Sequence, residues 1–241
     1  MGGAQSATEL GRIEDVLRAQ WLRLRPWVHG LEEDARELPS VLGGWTVEDL
    51  VAHLGRAMDA LTHARPSAPG TVPLTLGEYV GSYPERAVEI AATTRELAAE
   101  IRDDPLPAVD RRVEAALAQL AVLRDLGPDP VVQARRGPIL LSEMVLSRLI
   151  ELVVHADDLA RSTHRDGPGP VLPEALALVA DALLEIAVDR GGWNLEIVDP
   201  IAWVRLACGR VPLTVDALAA ALQPTYASDS LPDLGTVLPL L

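Results

Sequence analysis

Four ionisable residues share one face of an otherwise apolar stretch near the middle of the chain. Arg148, Glu151, His155 and Asp158 recur at spacings of three and four, which places them on one stripe of a helix. Most of the residues around them are Leu, Ile, Val or Ala, as in a helix that is buried in a core. Ionisable groups in such surroundings must be paired, bound to a metal ion or exposed in a cavity.

Glu151 and His155 lie one helical turn apart, so the two side chains can bind one metal ion together, as zinc ligands do at about 2.0–2.2 Å. This spacing is a weak indication by itself, because it arises by chance in many helices. A buried Glu–His pair, or an ion pair between Arg148 and Glu151, is the simpler explanation of the stripe alone.

His53 is a third candidate ligand and belongs to a different predicted helix. Its neighbours Leu50 and Leu54 are apolar, so His53 lies at the edge of the buried face of that helix. A single histidine there is usually a hydrogen-bonded core residue. Two helices of one bundle can nevertheless bring His53, Glu151 and His155 to one point. Three protein ligands with a vacant fourth position are typical of a catalytic zinc site.

Helical periodicity predicts the elements that must position these residues. Capping patterns at Thr46 with Asp49 and at Thr75 with Glu78 mark two helix starts. We predict long helices at about residues 8–31, 46–63, 75–101 (interrupted by Pro84), 106–126, from the end of an exposed loop at residues 135–138 to 163, and 174–190. A short strand is predicted at about residues 193–198, followed by small helices near 200–207 and 214–222.

A segment rich in Gly and Pro, residues 164–170, is the strongest linker signal in the chain. We therefore predict a mainly α fold with two parts. Residues 1–165 form an antiparallel four-helix bundle, and residues 166–241 form a small α+β C-terminal domain.

Composition limits the classes of partner. The chain has 241 residues and a formal net charge of −14 at pH 7, which argues against binding to nucleic acid or anionic membranes. Cys208 is the only cysteine, which excludes an internal disulfide and a thiolate cluster. No secretory signal pattern and no apolar run of roughly 18–20 residues is present. We predict a cytoplasmic protein, a monomer or homodimer, that acts on a small molecule.

Two sequence motifs resemble those of the mycothiol-dependent maleylpyruvate isomerase family, which belongs to the DinB-like superfamily of metal-binding bundles. The motifs are Gly44-Trp45-Thr46 followed by Asp49-Leu50-Val51-x-His53-Leu54, and Glu151-x-x-x-His155-x-x-Asp158-Leu159. They stand in the family's order, about a hundred residues apart, and the similarity covers about residues 8–163.

The resemblance implies a DinB-like bundle and assigns residues to a metal site. His53, Glu151 and His155 take the family's zinc-ligand positions. Asp158 is expected to orient His155 from behind, and Arg148 to support the site from the other flank. The implied cofactors are a divalent metal ion, zinc, and mycothiol as the thiol cosubstrate. No residue is assigned to the binding of the thiol.

The C-terminal part resembles the end of the sterol-carrier-like domain that is fused to these bundles in actinobacteria. The resemblance lies in Asp199-Pro200-x-Ala202-Trp203-x-Arg205-Leu206-Ala207-x-Gly209-Arg210 and in the Leu-Pro-Leu-Leu ending. Only about residues 191–198 precede this motif as possible strand, so the domain is truncated and a lipid tunnel is not expected. Arg210 is our catalytic candidate, because it can reach the bundle site and bind an anionic substrate group. The alternative is a surface arginine that is favoured by a helix dipole.

These observations together predict a metal-dependent, mycothiol-dependent transferase or isomerase that acts on a small electrophilic metabolite. As an enzyme it would be a zinc-dependent thiol S-transferase or cis–trans isomerase, because a thiol in the open metal position becomes a thiolate near neutral pH. The alternatives are a non-thiol enzyme or a small-molecule-binding accessory protein of specialised metabolism on the same bundle. A structural dimerisation protein is a further alternative, and it requires a large exposed apolar surface.

Overall fold

Helices make up most of the computed structural model, which describes residues 2–163, 165, 167–226, 228 and 230–241. The helices are α1 (Gly2–His29), α2 (Glu33–Arg36), α3 (Val47–Thr62), α4 (Leu76–Gly81), α5 (Ala87–Glu100), α6 (Pro105–Arg124), α7 (Leu141–Thr163), α8 (Pro173–Gly191), α9 (Pro200–Ala207) and α10 (Val215–Ala221). The strands are β1 (Arg65–Pro66), β2 (Val131–Ala134), β3 (Gly137–Leu140), β4 (Leu195–Ile197) and β5 (Leu222–Pro224). This mainly helical architecture confirms the predicted fold class.

Helix α3 is the centre of the packing in the N-terminal part. It packs against α5, α6 and α7, and α7 in turn packs against α1. Leu50, Leu54 and Leu61 on α3 are fully buried, as are Leu149 and Leu152 on α7. The two helices that carry the candidate ligands therefore lie in direct contact within one apolar core, where their ionisable groups are shielded from water.

A capping box fixes the start of α3 two turns before His53. The Thr46 hydroxyl accepts a hydrogen bond from the Asp49 backbone N–H at 3.1 Å, and the Asp49 carboxylate accepts one from the Thr46 N–H at 2.9 Å. Both backbone donors would otherwise be unsatisfied at the helix end. The predicted start of this helix is confirmed, and its register sets the direction in which His53 points.

The predicted third helix is divided as Pro84 suggested. Helix α4 ends at Gly81, a 3₁₀ turn covers Pro84–Arg86, and α5 begins at Ala87. Pro84 has no N–H to donate and its ring displaces the preceding turn, so one continuous helix cannot form. The break turns the chain so that Tyr83 lies close to α7, where its hydroxyl accepts a hydrogen bond from Arg148.

The exposed loop predicted at residues 135–138 is wrong in part, because a β-hairpin occupies this region. Strand β2 pairs with β3 in an antiparallel register, and β1 pairs with the other edge of β2. Val132 and Ile139 face each other across the hairpin and are fully buried. Strands of four residues that include Gly137 and Pro138 carry too little alternation to be recognised from sequence.

The C-terminal segment packs onto the bundle through α8, which contacts α1, α7 and α9. The predicted strand is β4, and its antiparallel partner β5 was not predicted. The division at residue 165 stays a prediction, because residues on both sides belong to one continuous apolar core. Within the predicted linker, His164 and Asp166 lie outside the described residues. No helix in the described part of the chain is long and apolar enough to cross a membrane.

Candidate metal centre and its pocket

Helices α3 and α7 bring three candidate ligands to one point. The Nε2 atom of His53 lies 3.2 Å from Oε2 of Glu151, and Nε2 of His155 lies 3.3 Å from the same oxygen. The ligand atoms of all three residues lie within 4.8 Å of one another. The Glu151 side chain is 11 % exposed and both histidines are buried. The predicted trio therefore forms a compact, nearly buried cluster.

The geometry of this cluster fits a divalent metal ion. A tetrahedral zinc ion with bonds of about 2.0–2.2 Å separates its ligand atoms by about 3.3–3.6 Å. The two distances from Glu151 Oε2, 3.2 and 3.3 Å, lie just below and at the lower end of that range. Two imidazole nitrogens and one carboxylate oxygen are also ligands that zinc prefers. With three protein ligands, a fourth coordination position is free for a small molecule.

Asp158 holds the back of the His155 ring. Its carboxylate lies 3.0 Å from Nδ1 of His155 and is itself fully buried. When Nδ1 donates its proton to a carboxylate, the lone pair of Nε2 is directed at the metal position. The orienting contact expected for Asp158 is therefore present in the geometry.

Thr94 on α5 plays the corresponding part for His53, and the sequence analysis missed it. Its hydroxyl lies 3.1 Å from Nδ1 of His53, and the residue is fully buried. A hydroxyl can donate or accept, so Thr94 suits both tautomers of His53. No spacing in the sequence links residue 94 to residue 53, because the contact joins two different helices.

The cluster has the electrostatics of a cation site. Burial, together with the nearby His155, lowers the pKa of His53 to about 4. Burial opposes the charged form of Glu151 as well, but hydrogen bonds with both histidines hold its pKa well below the usual range. For His155, hydrogen bonds with Asp158 and Glu151 overcome burial and raise the pKa. Two ionised carboxylates, those of Glu151 and Asp158, thus lie at the site. Among the three candidate ligands, a proton on His155 is what offsets their negative charge.

Arg148 does not pair with Glu151. Its guanidinium is fully buried and donates to the Ala57 carbonyl and to the Tyr83 hydroxyl, each at 2.7 Å. Among the ion pairs of the described residues, none joins Arg148 to Glu151. Its charge still contributes to the lowered pKa of Glu151. Arg148 thus acts on the cluster through space, while its hydrogen bonds tie α7 to α3 and to Tyr83.

A cavity of about 480 Å³ opens directly onto the three ligands. Its walls are mostly apolar and include Leu42, Trp45, Ile90, Ile150, Val154 and Leu241. Trp45, from the first sequence motif, stands edge-on to His53 with ring centres 5.2 Å apart. Concave, largely apolar cavities with a few convergent polar groups are where small molecules bind.

Arg210 lines the same cavity, although it comes from the C-terminal segment. Its Nε donates to both oxygens of Asp158 at 3.1 and 3.2 Å, and its Nη1 donates to the Cys208 carbonyl at 2.8 Å. No described residue accepts a hydrogen bond from Nη2. The side chain is 21 % exposed, so Arg210 is a wall of the site and not a free surface residue.

Two other features of the structure are not suited to this chemistry. The buried Cys208 thiol has its pKa raised to about 12 by burial, which makes it a poor nucleophile. A larger cavity of about 700 Å³ lies between α4, α7 and α8 and is lined by carboxylates such as Glu143 and Asp189. It contains neither a histidine nor a cysteine, so the smaller cavity at the ligand cluster is the candidate site.

Comparison with known proteins agrees with this geometry. The family model described as the mycothiol maleylpyruvate isomerase N-terminal domain matches residues 17–160, which include His53, Glu151, His155 and Asp158. No curated protein matches the chain.

A crystal structure described as the mycothiol-dependent maleylpyruvate isomerase is similar with a TM-score of 0.53 and 16 % sequence identity. The alignment covers 84 % of this chain and 90 % of that chain. At this identity the similarity shows the fold. The covered share exceeds what residues 1–165 alone make up, so the similarity extends into the C-terminal segment. Because the family model spans more than half of the sequence, the chain belongs to the family of the mycothiol maleylpyruvate isomerase N-terminal domain.

Proposed function

We propose that this protein is a metal-dependent enzyme that uses mycothiol as a cosubstrate to transfer a thiol to, or to isomerise, a small electrophilic metabolite. One observation carries the proposal. Three ligands for a divalent metal converge on the wall of a 480 Å³ cavity and leave one coordination position free. The family match supports mycothiol as the thiol, and the similar crystal structure is described as a mycothiol-dependent isomerase.

The proposed metal ligands are Nε2 of His53, Oε2 of Glu151 and Nε2 of His155. Zinc suits this donor set, which is the two-histidine, one-carboxylate type found in catalytic zinc sites. When bound, the metal lowers the pKa of a coordinated thiol so that a thiolate is present near pH 7. Asp158 and Thr94 hold the two imidazole rings so that both Nε2 atoms face the same point.

The chain's own residues exclude water and bind the substrate. The apolar walls formed by Trp45, Ile90 and Ile150 keep the cavity poor in water, which strengthens electrostatic contacts inside it. Arg210 lines the cavity while Asp158 fixes its Nε, so its guanidinium is positioned to bind a carboxylate of the substrate.

In both proposed reactions the thiolate attacks an electrophilic carbon of the substrate. In the isomerase, the thiolate sulfur adds to one carbon of an activated C=C bond, and the electron pair moves to the conjugated carbonyl oxygen. The remaining C–C single bond rotates, the pair returns, and the thiolate is expelled unchanged. In the transferase, a leaving group departs with its electron pair and the sulfur stays on carbon. Arg210, bound to the carboxylate of the substrate, holds the electrophilic carbon in place during both reactions.

The proposed setting follows from this chemistry. A free thiol cosubstrate stays reduced in the cytoplasm, so we place the enzyme there. Its partners are small molecules and not nucleic acids or membranes, in keeping with the net charge of −14. We propose that it acts as a monomer or homodimer.

Metal content tests the first half of the proposal. The purified protein should contain about one equivalent of zinc or take it up on addition, and His155→Ala should abolish binding. His29→Ala is the matched control, because His29 is a partly exposed histidine that contacts Asp110 far from the site. Less than about a tenth of an equivalent, with no uptake on addition, contradicts the metal centre.

Thiol binding tests the second half. Mycothiol added to the cobalt-substituted protein should produce the charge-transfer absorption of a thiolate bound to cobalt. The same titration on Arg210→Gln should keep this band, since Arg210 is assigned to the substrate and not to the thiol. A loaded protein whose spectrum does not respond to mycothiol contradicts thiol chemistry and favours a non-thiol function on the same bundle.

A further inference from the structure

A third cavity, of about 50 Å³, lies beside the cluster of candidate metal ligands and is not used by the proposed reaction. We call it the arginine cavity, after the residues that dominate its walls, Arg56, Arg86, Arg135, Arg136 and Arg148. It shares His53, Ile90 and Glu151 with the 480 Å³ cavity of the candidate site. Arg135 and Arg136 come from the turn of the β2–β3 hairpin, and Arg86 follows Pro84 at the break between α4 and α5.

Most of the positive charge in the arginine cavity is not compensated. The cavity is also lined by two carboxylates, Glu89 and Glu151. Arg86 binds Glu89 through two hydrogen bonds of 2.9 and 2.6 Å, and Glu151 is bound to the two histidines. Within the described part of the chain, none of the other four arginines has a carboxylate within 4.0 Å. Such an excess is unusual in a chain whose net charge is −14.

The four guanidiniums without a carboxylate make other contacts within the described residues, and that of Arg135 lies 3.2 Å from both ring nitrogens of His63. Arg56 donates its Nε to the Thr93 hydroxyl at 2.7 Å, and Arg148 donates to a carbonyl and to hydroxyls. Arg136 lies over the Tyr83 ring at 4.1 Å from its centre, and its buried Nε has no hydrogen-bond partner among the described residues. A buried donor without a partner is costly, which indicates that something else binds there.

Mutual repulsion adds to this cost. Burial lowers the pKa of the Arg56 guanidinium, and the charges of Arg135 and Arg136 lower it further against the attraction of Glu151. The cationic groups are therefore close enough to destabilise one another. A bound anion removes both the repulsion and the unsatisfied donor.

The size of the cavity limits what can fill it. At about 15 Å³ of such space for each water molecule, 50 Å³ holds roughly three waters. One carboxylate or phosphate group occupies a similar volume. Planar guanidinium groups also bind these oxyanions in preference to other ligands, because their N–H donors match the spacing of the oxygens.

We infer that the arginine cavity binds the carboxylate or phosphate group of a small anionic metabolite, at a place separate from the free position of the metal centre. Arg56, Arg135 and Arg136 supply the donors. The rest of the ligand extends past Arg135, which is exposed at the mouth of the cavity. Because Glu151 is a wall of both cavities, the anion lies next to a metal ligand without occupying the thiol position.

Calorimetric titration of the whole protein with inorganic phosphate and, separately, with succinate tests this inference. We expect saturable binding of at least one of the two anions. Arg56→Gln and Arg135→Gln should each weaken it by about tenfold or more, because each removes charged hydrogen-bond donors. Arg135 is exposed, so its replacement does not threaten folding. Arg111→Gln, at an exposed arginine of α6, is the matched control and should leave the affinity unchanged.

The arms of the experiment separate the possible sources of the anion. Binding of phosphate alone identifies a phosphorylated ligand, and binding of succinate alone identifies an organic acid. No saturable binding of either anion in the tens of millimolar overturns the inference. Equal weakening in Arg111→Gln also overturns it, since the effect is then one of net charge. If binding is weakened in Arg210→Gln but not in Arg56→Gln, the anion binds in the 480 Å³ cavity, and the inference is overturned as well.

Discussion

The carboxylate of Asp158 lies 3.0 Å from Nδ1 of His155, one helical turn earlier on α7, and the same carboxylate accepts a hydrogen bond from Nε of Arg210. One buried acid therefore joins a candidate metal ligand to the C-terminal segment. The adjacent residue, Asp157, points to a different arginine and binds Arg205 through two hydrogen bonds of 2.8 and 2.7 Å. Two consecutive aspartates thus have separate roles, and this separation can be tested.

Asp158→Asn should lower the affinity for zinc by about 10–100-fold, because the amide keeps the shape but loses the charge that orients and polarises His155. Competition with a chromophoric chelator measures the affinity. Asp157→Asn is the matched control on the next residue and should leave the zinc affinity unchanged. An equal loss in both variants would mean that the effect comes from general damage to α7.

The pair of Asp157 and Arg205 is expected to stabilise the fold instead. Asp157 is almost fully buried, so Arg205→Ala leaves its charge without a partner. The Arg205 side chain is 33 % exposed, and water screens part of the effect, so we expect a loss of about 1–2 kcal/mol in the free energy of unfolding. Urea unfolding should show a lower midpoint with an unchanged slope.

Arg12→Ala is the control for that measurement. Arg12 pairs with Glu9 on α1, and both side chains are about half exposed, at 51 % and 52 %. Surface pairs of this kind contribute little, so the expected change is below about 0.5 kcal/mol. If Arg205→Ala is as mild as Arg12→Ala, the contact between α7 and α9 does not hold the C-terminal segment in place.

Local periodicity was enough to place the charged stripe of α7. The spacing of Glu151, His155 and Asp158 fixes their common face as soon as the segment is helical. The position of His53 beside them depended on the family resemblance, because the contact spans 98 residues and no local pattern encodes it. The family was correctly recognised from these two motifs.

Contacts between distant segments explain what sequence could not supply. The hydroxyl of Thr94 meets His53 from α5, and an amphipathic pattern gives no reason to choose that threonine over its neighbour Thr93. The simple pairing of Arg148 with Glu151 is wrong, because a carbonyl of α3 and the Tyr83 hydroxyl take its donors first. The contact of Arg136 with the Tyr83 ring was likewise not predicted, because Arg136 lies in the turn of a short hairpin that the sequence did not reveal.

Thr94→Val should weaken zinc binding while the protein stays folded. Valine has nearly the same shape but no hydroxyl, so Nδ1 of His53 becomes a buried polar atom without a partner. We expect about a tenfold loss of zinc affinity, near 1.4 kcal/mol. Thr163→Val is the control, since its hydroxyl donates to the Leu159 carbonyl on α7, within the same helix. Unchanged affinity in Thr94→Val would show that α3 alone orients His53.

Metal binding should release a proton from one histidine and not from two. The pKa of His155 is raised above 6.5, whereas that of His53 is lowered to about 4, so His53 is already neutral near pH 7. Glu151 stays ionised in this range because its pKa is well below the usual value. Between pH 6.5 and 5 the apparent zinc affinity should therefore fall about tenfold for each unit by which the pH is lowered, and it should level off above the pKa of His155.

The same proton affects the stability of the metal-free protein. Because the folded-state pKa of His155 is raised, its contribution to stability is fully present below about pH 6.5 and is lost as the pH rises through the folded-state value.

Calorimetry in two buffers of different ionisation enthalpy counts the protons that zinc binding releases. Asp158→Asn removes one cause of the raised pKa and should move the plateau in zinc affinity to lower pH. A release of two protons on zinc binding to the wild-type protein would show that His53 also carries a proton, contrary to its burial against His155 and Trp45.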